Sequence, residues 1–284
     1  MPILPLKSVD PPATTVALYD DWLGELGERL AAREADWYAV ARETLFQLYF
    51  PGLTDYQELV DDPATPAASR IALLALDPRN ITLEPEYYAE VDAEKFRRVK
   101  PLLWLWQRFD HSTAGGNNVH LGIRFRRLLA RHIFARCGRN FKCFQFTEFS
   151  YGYNIEVGDD VVVHRHVLLD DRGSITLGDR VSIADYANIY SHTHSIDDQK
   201  DVTNARTVLE DDVRITYHAT VLAGTRVGVS GMVGACAVAT KDVRPYHVNV
   251  GVPARSVAIK SYAPPESRST QRIGGAGGKE DSQP

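Results

Sequence analysis

Two histidines one residue apart, His192 and His194, stand in a polar stretch that reads YSHTHSIDDQKDVTNAR. A neutral imidazole can take a proton from a hydroxyl near pH 7, which makes either residue a candidate general base. A second pair of the same form, His164 and His166, lies upstream beside Asp170-Asp171, and His218 lies downstream. Histidines in this number also raise metal ligation as a competing chemistry. Which reading holds depends on the elements that carry them.

Those elements are set by a repeat of six residues. From Thr207 the positions Val213, Ala219, Thr225, Gly231, Ala237 and Val243 follow at intervals of six. Two residues after the first six of these come Leu209, Ile215, Val221, Val227, Val233 and Ala239. Upstream, Ile155, Val161, Val167, Ile175, Val181 and Ala187 form the same column, with Val157, Val163, Leu169, Leu177, Ile183 and Ile189 two residues on. Positions 1 and 3 of a strand share a face, so a short strand and a turn in each hexad close a triangular coil. Three hexads, or eighteen residues, are expected per coil. Stacked coils pair their strands and bury one aliphatic column, although no hexad could fold alone. The fold class expected is mainly β, a parallel β-helix.

Insertions in a solenoid leave as loops while the column continues. A two-residue excess between Val167 and Ile175 falls at Asp170 to Gly173. A larger one separates Ala187 from Thr207, where twenty residues stand in place of six. Continuing the register past Ala187 puts Thr193 inward, His194 outward at the departure of the loop, and His192 on the preceding corner. His194 is therefore the residue available for chemistry.

The remainder of the chain reads differently. Of 284 residues, 44% are apolar and the formal charge is -5, with no basic run to hold a phosphate backbone, so nucleic acid is excluded as a partner. Three cysteines without a CxxC pair fit a reducing compartment, and no apolar run of roughly 18 residues is present to span a membrane. A cytoplasmic location is expected. From Thr15 to Phe50 apolar residues recur with helical spacing until Pro51-Gly52, and helical patches resume at Pro85 to Phe109 and Leu121 to Ala135. The expected organisation is a helical N-terminal region over 1–110, a linker and helix over 111–137, the β-helix over 138–262, and a disordered tail over 263–284. The helical region is expected to cap the open edge of the first coil.

Four segments carry a resemblance: YGYNIEVGDD at Tyr151 to Asp160, IYSHTHSIDD at Ile189 to Asp198, GACAVATKDV at Gly234 to Val243, and VGVPAR at Val250 to Arg255. They resemble the hexapeptide-repeat O-acetyltransferases, similar to maltose, galactoside and nodulation-factor acetyltransferases and to relatives beside polysaccharide genes. The resemblance implies a left-handed β-helix, a homotrimer with active sites between subunits, and acetyl-CoA as acyl donor with no metal required. By position His194 matches the family's catalytic base. Gly234, Ala235, Thr240, Lys241 and Arg255 match the coenzyme A path, the two cations suiting its phosphates. His164, Asp171 and His192 are read as acceptor-binding residues, with the alternative that His164 and Asp171 are corner residues making local hydrogen bonds. The acceptor implied is a small hydroxyl-bearing molecule such as a sugar. Arg214 and Thr216 depart from the tryptophan and glycine common in relatives, so the pantetheine wall is expected to differ.

Two other classes compete. γ-Class carbonic anhydrases resemble this fold and hold zinc with three histidines, but His166 and His218 end hexads two coils apart, about 10 Å, whereas zinc needs nitrogens at about 2.0 Å. A non-catalytic trimeric scaffold is the third reading.

Overall fold

The structure, a computed structural model, describes residues 9–198 and 200–268. The sequence column becomes a left-handed parallel β-helix of three sheets. The first sheet stacks Arg136–Cys137, Ile155–Val157, Ile175–Leu177, Thr207–Leu209 and Arg226–Val227. The second stacks Lys142–Cys143, Val162–Val163, Ser182–Ile183, Arg214–Ile215, Met232–Val233 and His247–Val250, and ends in the antiparallel strand Arg255–Ile259. The third stacks Glu148–Phe149, Leu168–Asp170, Asn188–Tyr190, Thr220–Val221 and Val238–Ala239. Val161, Val163, Ile175, Val181, Ile183, Ala219 and Val227 are fully buried on the inner face, so aliphatic burial along the axis drives the stacking.

Coil length differs from the expected eighteen. Lys142 pairs with Val162 and Val162 with Ser182, an advance of 20 residues per coil, while Arg214 pairs with Met232, an advance of 18. The two extra residues sit where the third sheet turns into the first, at 150–154 and 170–174, and the excess read at Asp170 to Gly173 is the second of these. The coil Arg136 to Phe149 precedes the hexad columns that start at Ile155, and its inward positions carry Phe141, Cys143, Thr147 and Phe149 instead of small aliphatics.

The corners repeat as strictly as the strands. Non-glycine residues with positive φ recur at one place in the hexad, among them Asp160, His166, Arg180, Tyr186, Asp212 and His218. Stacking between coils holds these strained positions. Phe146, His166, Tyr186 and His218 form a ring ladder with spacings of 5.0, 4.8 and 4.9 Å. On the preceding corner Asp159, Asp179 and Asp211 each accept the amide of the residue one coil below, at 2.7, 2.8 and 2.9 Å.

Helices α1 (Ala13–Ala31), α2 (Trp37–Tyr49), α3 (Tyr56–Asp61), α4 (Ala67–Leu74), α5 (Ala93–Asp110) and α6 (Val119–Ile133) precede the coils. The helical periodicity of Thr15 to Phe50 resolves into two helices because Asp36 captures the amides of Tyr38 and Ala39 and starts α2. Trp22, Phe109 and Phe125 stack where α1, α5 and α6 meet. The region covers the lower edge of the first coil. Trp106 donates to the Thr147 carbonyl (3.0 Å), Arg126 to that of Cys143 (3.1 Å) and Arg127 to that of Phe141 (2.6 Å). Side chains thus supply the donors that a further coil would otherwise provide.

Beyond the last coil, Pro265–Arg268 form a 3-10 turn, and Arg268 donates to the Ala263 carbonyl, so the expected disorder does not extend over 263–268. The rest of that expectation lies outside the described residues. Among the described residues no helix is long and apolar enough to cross a membrane.

Candidate functional site

The long insertion leaves the corner between the third and first sheets as an antiparallel hairpin, His192–His194 paired with Val202–Asn204. The departure falls at Ser191, which is fully buried. Thr193, expected inward, is exposed because its strand pairs outside the coil. Ser191 anchors the departure: its hydroxyl donates to the Asp170 carbonyl (2.6 Å) and accepts from the amides of Gly173 (2.8 Å) and Ser174 (3.1 Å).

On this base stand the two histidines. His192 Nδ1 donates to Asp170 Oδ2, and Ser150 Oγ donates to the other carboxylate oxygen at 2.9 Å. Both oxygens of a buried acid are thus occupied, which fixes the ring plane of His192. The His194 ring lies edge-on to it, with centroids 5.3 Å apart at 84°, and is exposed. A base that must reach an acceptor hydroxyl needs that exposure.

The helical region reaches the same corner. Arg172 donates through Nε to Glu90 Oε1 at 2.6 Å, and its guanidinium lies 4.0 Å from the centre of the Tyr88 ring. Burial opposes ionisation of Glu90. Hydrogen bonds from its own backbone and from Arg172, with the charge of Arg172 and the nearby His192 ring, outweigh that and hold the carboxyl below its ordinary value.

The acceptor residues expected from sequence are not brought together. Asp171 is a correction: it is fully buried, its carboxylate accepting the amides of Tyr151 (2.7 Å) and Asn154 (3.2 Å), and so has no face toward an acceptor. Burial pushes its pKa up to about 7 despite those donors. It joins successive coils, and the acid that meets the histidines is its neighbour Asp170. Strand parity held that signal, since Val167, Leu169 and Asp171 alternate inward. His164 stacks on Phe144 at 5.0 Å on the corner between the second and third sheets, a different corner of the chain from the one that carries His194. Glu90 and Arg172 left no signal, being 82 residues apart in sequence.

The residues expected on the coenzyme A path divide between two corners. Gly234 is buried, and a Cβ there would lie 2.6 Å from Val250 Cγ1, so only glycine lets the terminal hairpin close over it. Val250 pairs with Arg255, which is exposed, as is Ala235. Thr240 and Lys241 are exposed past the far end of Val238–Ala239, on the corner that two coils below carries His192.

No family model matches the chain. It is 27% identical over 168 residues to a galactoside O-acetyltransferase of Escherichia coli, spanning 58% of this chain and 78% of that one. The solved maltose O-acetyltransferase of Clostridium difficile superposes with a TM-score of 0.52 at 26% identity, over 61% of this chain and 91% of that one. A galactoside acetyltransferase solved in complex with coenzyme A superposes with a TM-score of 0.51 at 26% identity, over 60% and 84%. The chain is an acyltransferase on a hexapeptide-repeat β-helix. These likenesses span about three fifths of the chain.

His166 and His218 are separated by the intervening Tyr186 ring, and among the described residues no group of three His, Cys, Asp or Glu is placed to hold an ion.

Proposed function

We propose that the protein moves an acetyl group from acetyl coenzyme A to a hydroxyl of a small acceptor, a sugar or a related molecule, with His194 as general base. The observation that carries this reading is the exposed His194 ring set edge-on against His192, which a buried Asp170 anchors, at the hairpin departure. In the reaction His194 takes the hydroxyl proton as the oxygen attacks the thioester carbonyl, and coenzyme A leaves as the thiol. No covalent intermediate on the protein is required. A positioned base contributes about 10²- to 10⁴-fold to such a step.

The coenzyme A complex of a similar enzyme supports the donor. Gly234, Ala235 and Arg255 on one corner, with Thr240 and Lys241 on another, are the residues we assign to it; Arg255 and Lys241 offer cations to its phosphates. Because the two sets face different corners of one chain, a groove between adjoining copies would bring them onto one ligand, which favours a trimer with shared sites. Three free thiols support a reducing, cytoplasmic setting. The test is release of free coenzyme A from acetyl-CoA in the presence of sugars, amino sugars and small alcohols. Activity with an acceptor that is lost in His194→Ala upholds the reading. Absence of transfer to every acceptor, with no binding of acetyl-CoA by calorimetry, overturns it.

A further inference from the structure

The catalytic corner is bracketed by acids from two parts of the chain. Asp170, the last residue of its strand in the third sheet, is buried and spends one carboxylate oxygen on His192 and the other on Ser150. Beside it Arg172, also buried, is clamped from outside by Glu90 and Tyr88, which follow the 3-10 turn Glu84–Tyr87 of the helical region. Arg172 and Asp170 belong to one turn, so fixing Arg172 fixes the backbone from which the Asp170 carboxylate projects. His192 in turn is the ring against which His194 rests. The chain of contact runs from the helical region, through the corner, to the exposed imidazole.

We propose that Asp170 and Glu90 are positioning residues that act on His194 through His192, which makes the helical region a working wall of the catalytic site as well as a cap. This rests on His194 being the base. When His194 accepts a proton the histidine pair gains a positive charge, and an anchored carboxylate one ring away stabilises that state without having to move. An Asp170 carboxylate bound to Nδ1 also fixes which nitrogen of His192 carries the hydrogen, and so the edge it turns to its surroundings. Glu90 completes the bracket by holding Arg172 against the corner and by placing a second negative charge near His192.

A double-mutant cycle tests this, because a residue that acts only through another loses its effect when that other is gone. The readout is kcat and the KM for acetyl-CoA, followed as free thiol with maltose and with a galactoside as probe acceptors and with water as the reference acceptor. Asp170→Asn, which keeps the shape, is expected to lower kcat about 10-fold with the KM for acetyl-CoA unchanged, and to lower it no further in a His192→Ala background. Glu90→Gln is expected to lower kcat in the same direction by about 3-fold, with Glu90→Asp restoring part of it. Losses that multiply in the double variants, or single variants that keep full kcat, overturn the proposal. Should Asp170→Asn fail to fold, the cycle is run with Glu90→Gln, whose side chain is only partly buried. His194→Ala in the same series separates the two readings. If it retains full turnover, the assignment of the base fails. If it is inactive while the cycles multiply, only the positioning role fails.

Discussion

Arg126 and Asp110 form an ion pair sealed between the helical region and the first coil, with 1% and 2% of their side chains exposed. Arg126 also donates to the Cys143 carbonyl, and Asp110 accepts the amide of Phe146, so α5, α6 and one corner of the first coil meet on one pair. Gly122 makes room for it, since a Cβ there would lie 2.8 Å from the guanidinium.

Truncating one member leaves the other's charge buried without a partner. Arg126→Met is therefore expected to cost about 3–5 kcal/mol of unfolding free energy. The double variant Arg126→Met/Asp110→Leu should recover a large part of that loss, since desolvation no longer opposes burial. Urea unfolding of the unaltered protein and the two variants checks this. A single-variant loss below about 1 kcal/mol, the scale of an exposed pair, would show that the junction does not depend on it.

Asp171 should make stability depend on pH in the direction opposite to a paired surface carboxylate. Its pKa in the folded chain is pushed up to about 7 from an ordinary value of 3.8. Between those values the folded state holds the proton and the unfolded state does not. This contribution is fully present below about pH 4, falls as pH rises, and is lost above about pH 7; at about 1.36 kcal/mol per unit its span is at most about 4 kcal/mol. Chemical unfolding from pH 5 to pH 8 should show a slope that Asp171→Asn flattens. An unchanged slope in that variant would assign the dependence elsewhere.

The hexad register was legible because one aliphatic column serves every coil: Ile215, Val221, Val227 and Val233 are alike, buried and spaced by six. The first coil was not, because it faces the helices on its open side and fills that space with Phe141, Cys143 and Phe149. The break in the count marked where the hairpin leaves the coils. Asp170 was one residue from the acid chosen, and the choice turned on following strand parity through the corner. Glu90 was invisible, since nothing local marks a residue whose partner lies in another element. The corner residues His166 and Tyr186 repeat with the hexads, yet only stacking between coils explains aromatic rings at positive φ.

The donor assignment predicts a phosphate-specific loss. Arg255→Ala and Lys241→Ala are each expected to weaken coenzyme A by about 1.5–3 kcal/mol, and to weaken a 3'-dephosphorylated analogue less. Because the two cations occupy different corners of one chain, a site shared between copies predicts a further result. Mixing the two single variants into hybrid assemblies should restore some intact sites beside singly and doubly impaired ones, seen by calorimetry as a tight class of sites that neither parent variant has. Equal losses for both ligands in both variants would remove these residues from the phosphate site.

The two histidines should separate by the kind of loss they cause. His194→Ala removes the proposed base from an exposed hairpin position, so the fold and the affinity for coenzyme A should persist while acyl transfer falls about 10²- to 10⁴-fold. His192 is half-buried against Asp170, and its removal strands a buried carboxylate that has lost its charge-assisted donor. His192→Ala should therefore cost about 1–3 kcal/mol of stability, a penalty that His194→Ala lacks, and a smaller share of kcat. Melting curves and initial rates on the same preparations make the comparison. The decisive pattern is crossed, with rate lost chiefly at His194 and stability lost chiefly at His192. If His192→Ala abolishes transfer while His194→Ala retains it, then the residue anchored by Asp170 is itself the base, an arrangement the anchored ring plane would also serve. If neither substitution alters transfer to any acceptor, proton abstraction at this corner is not part of the reaction.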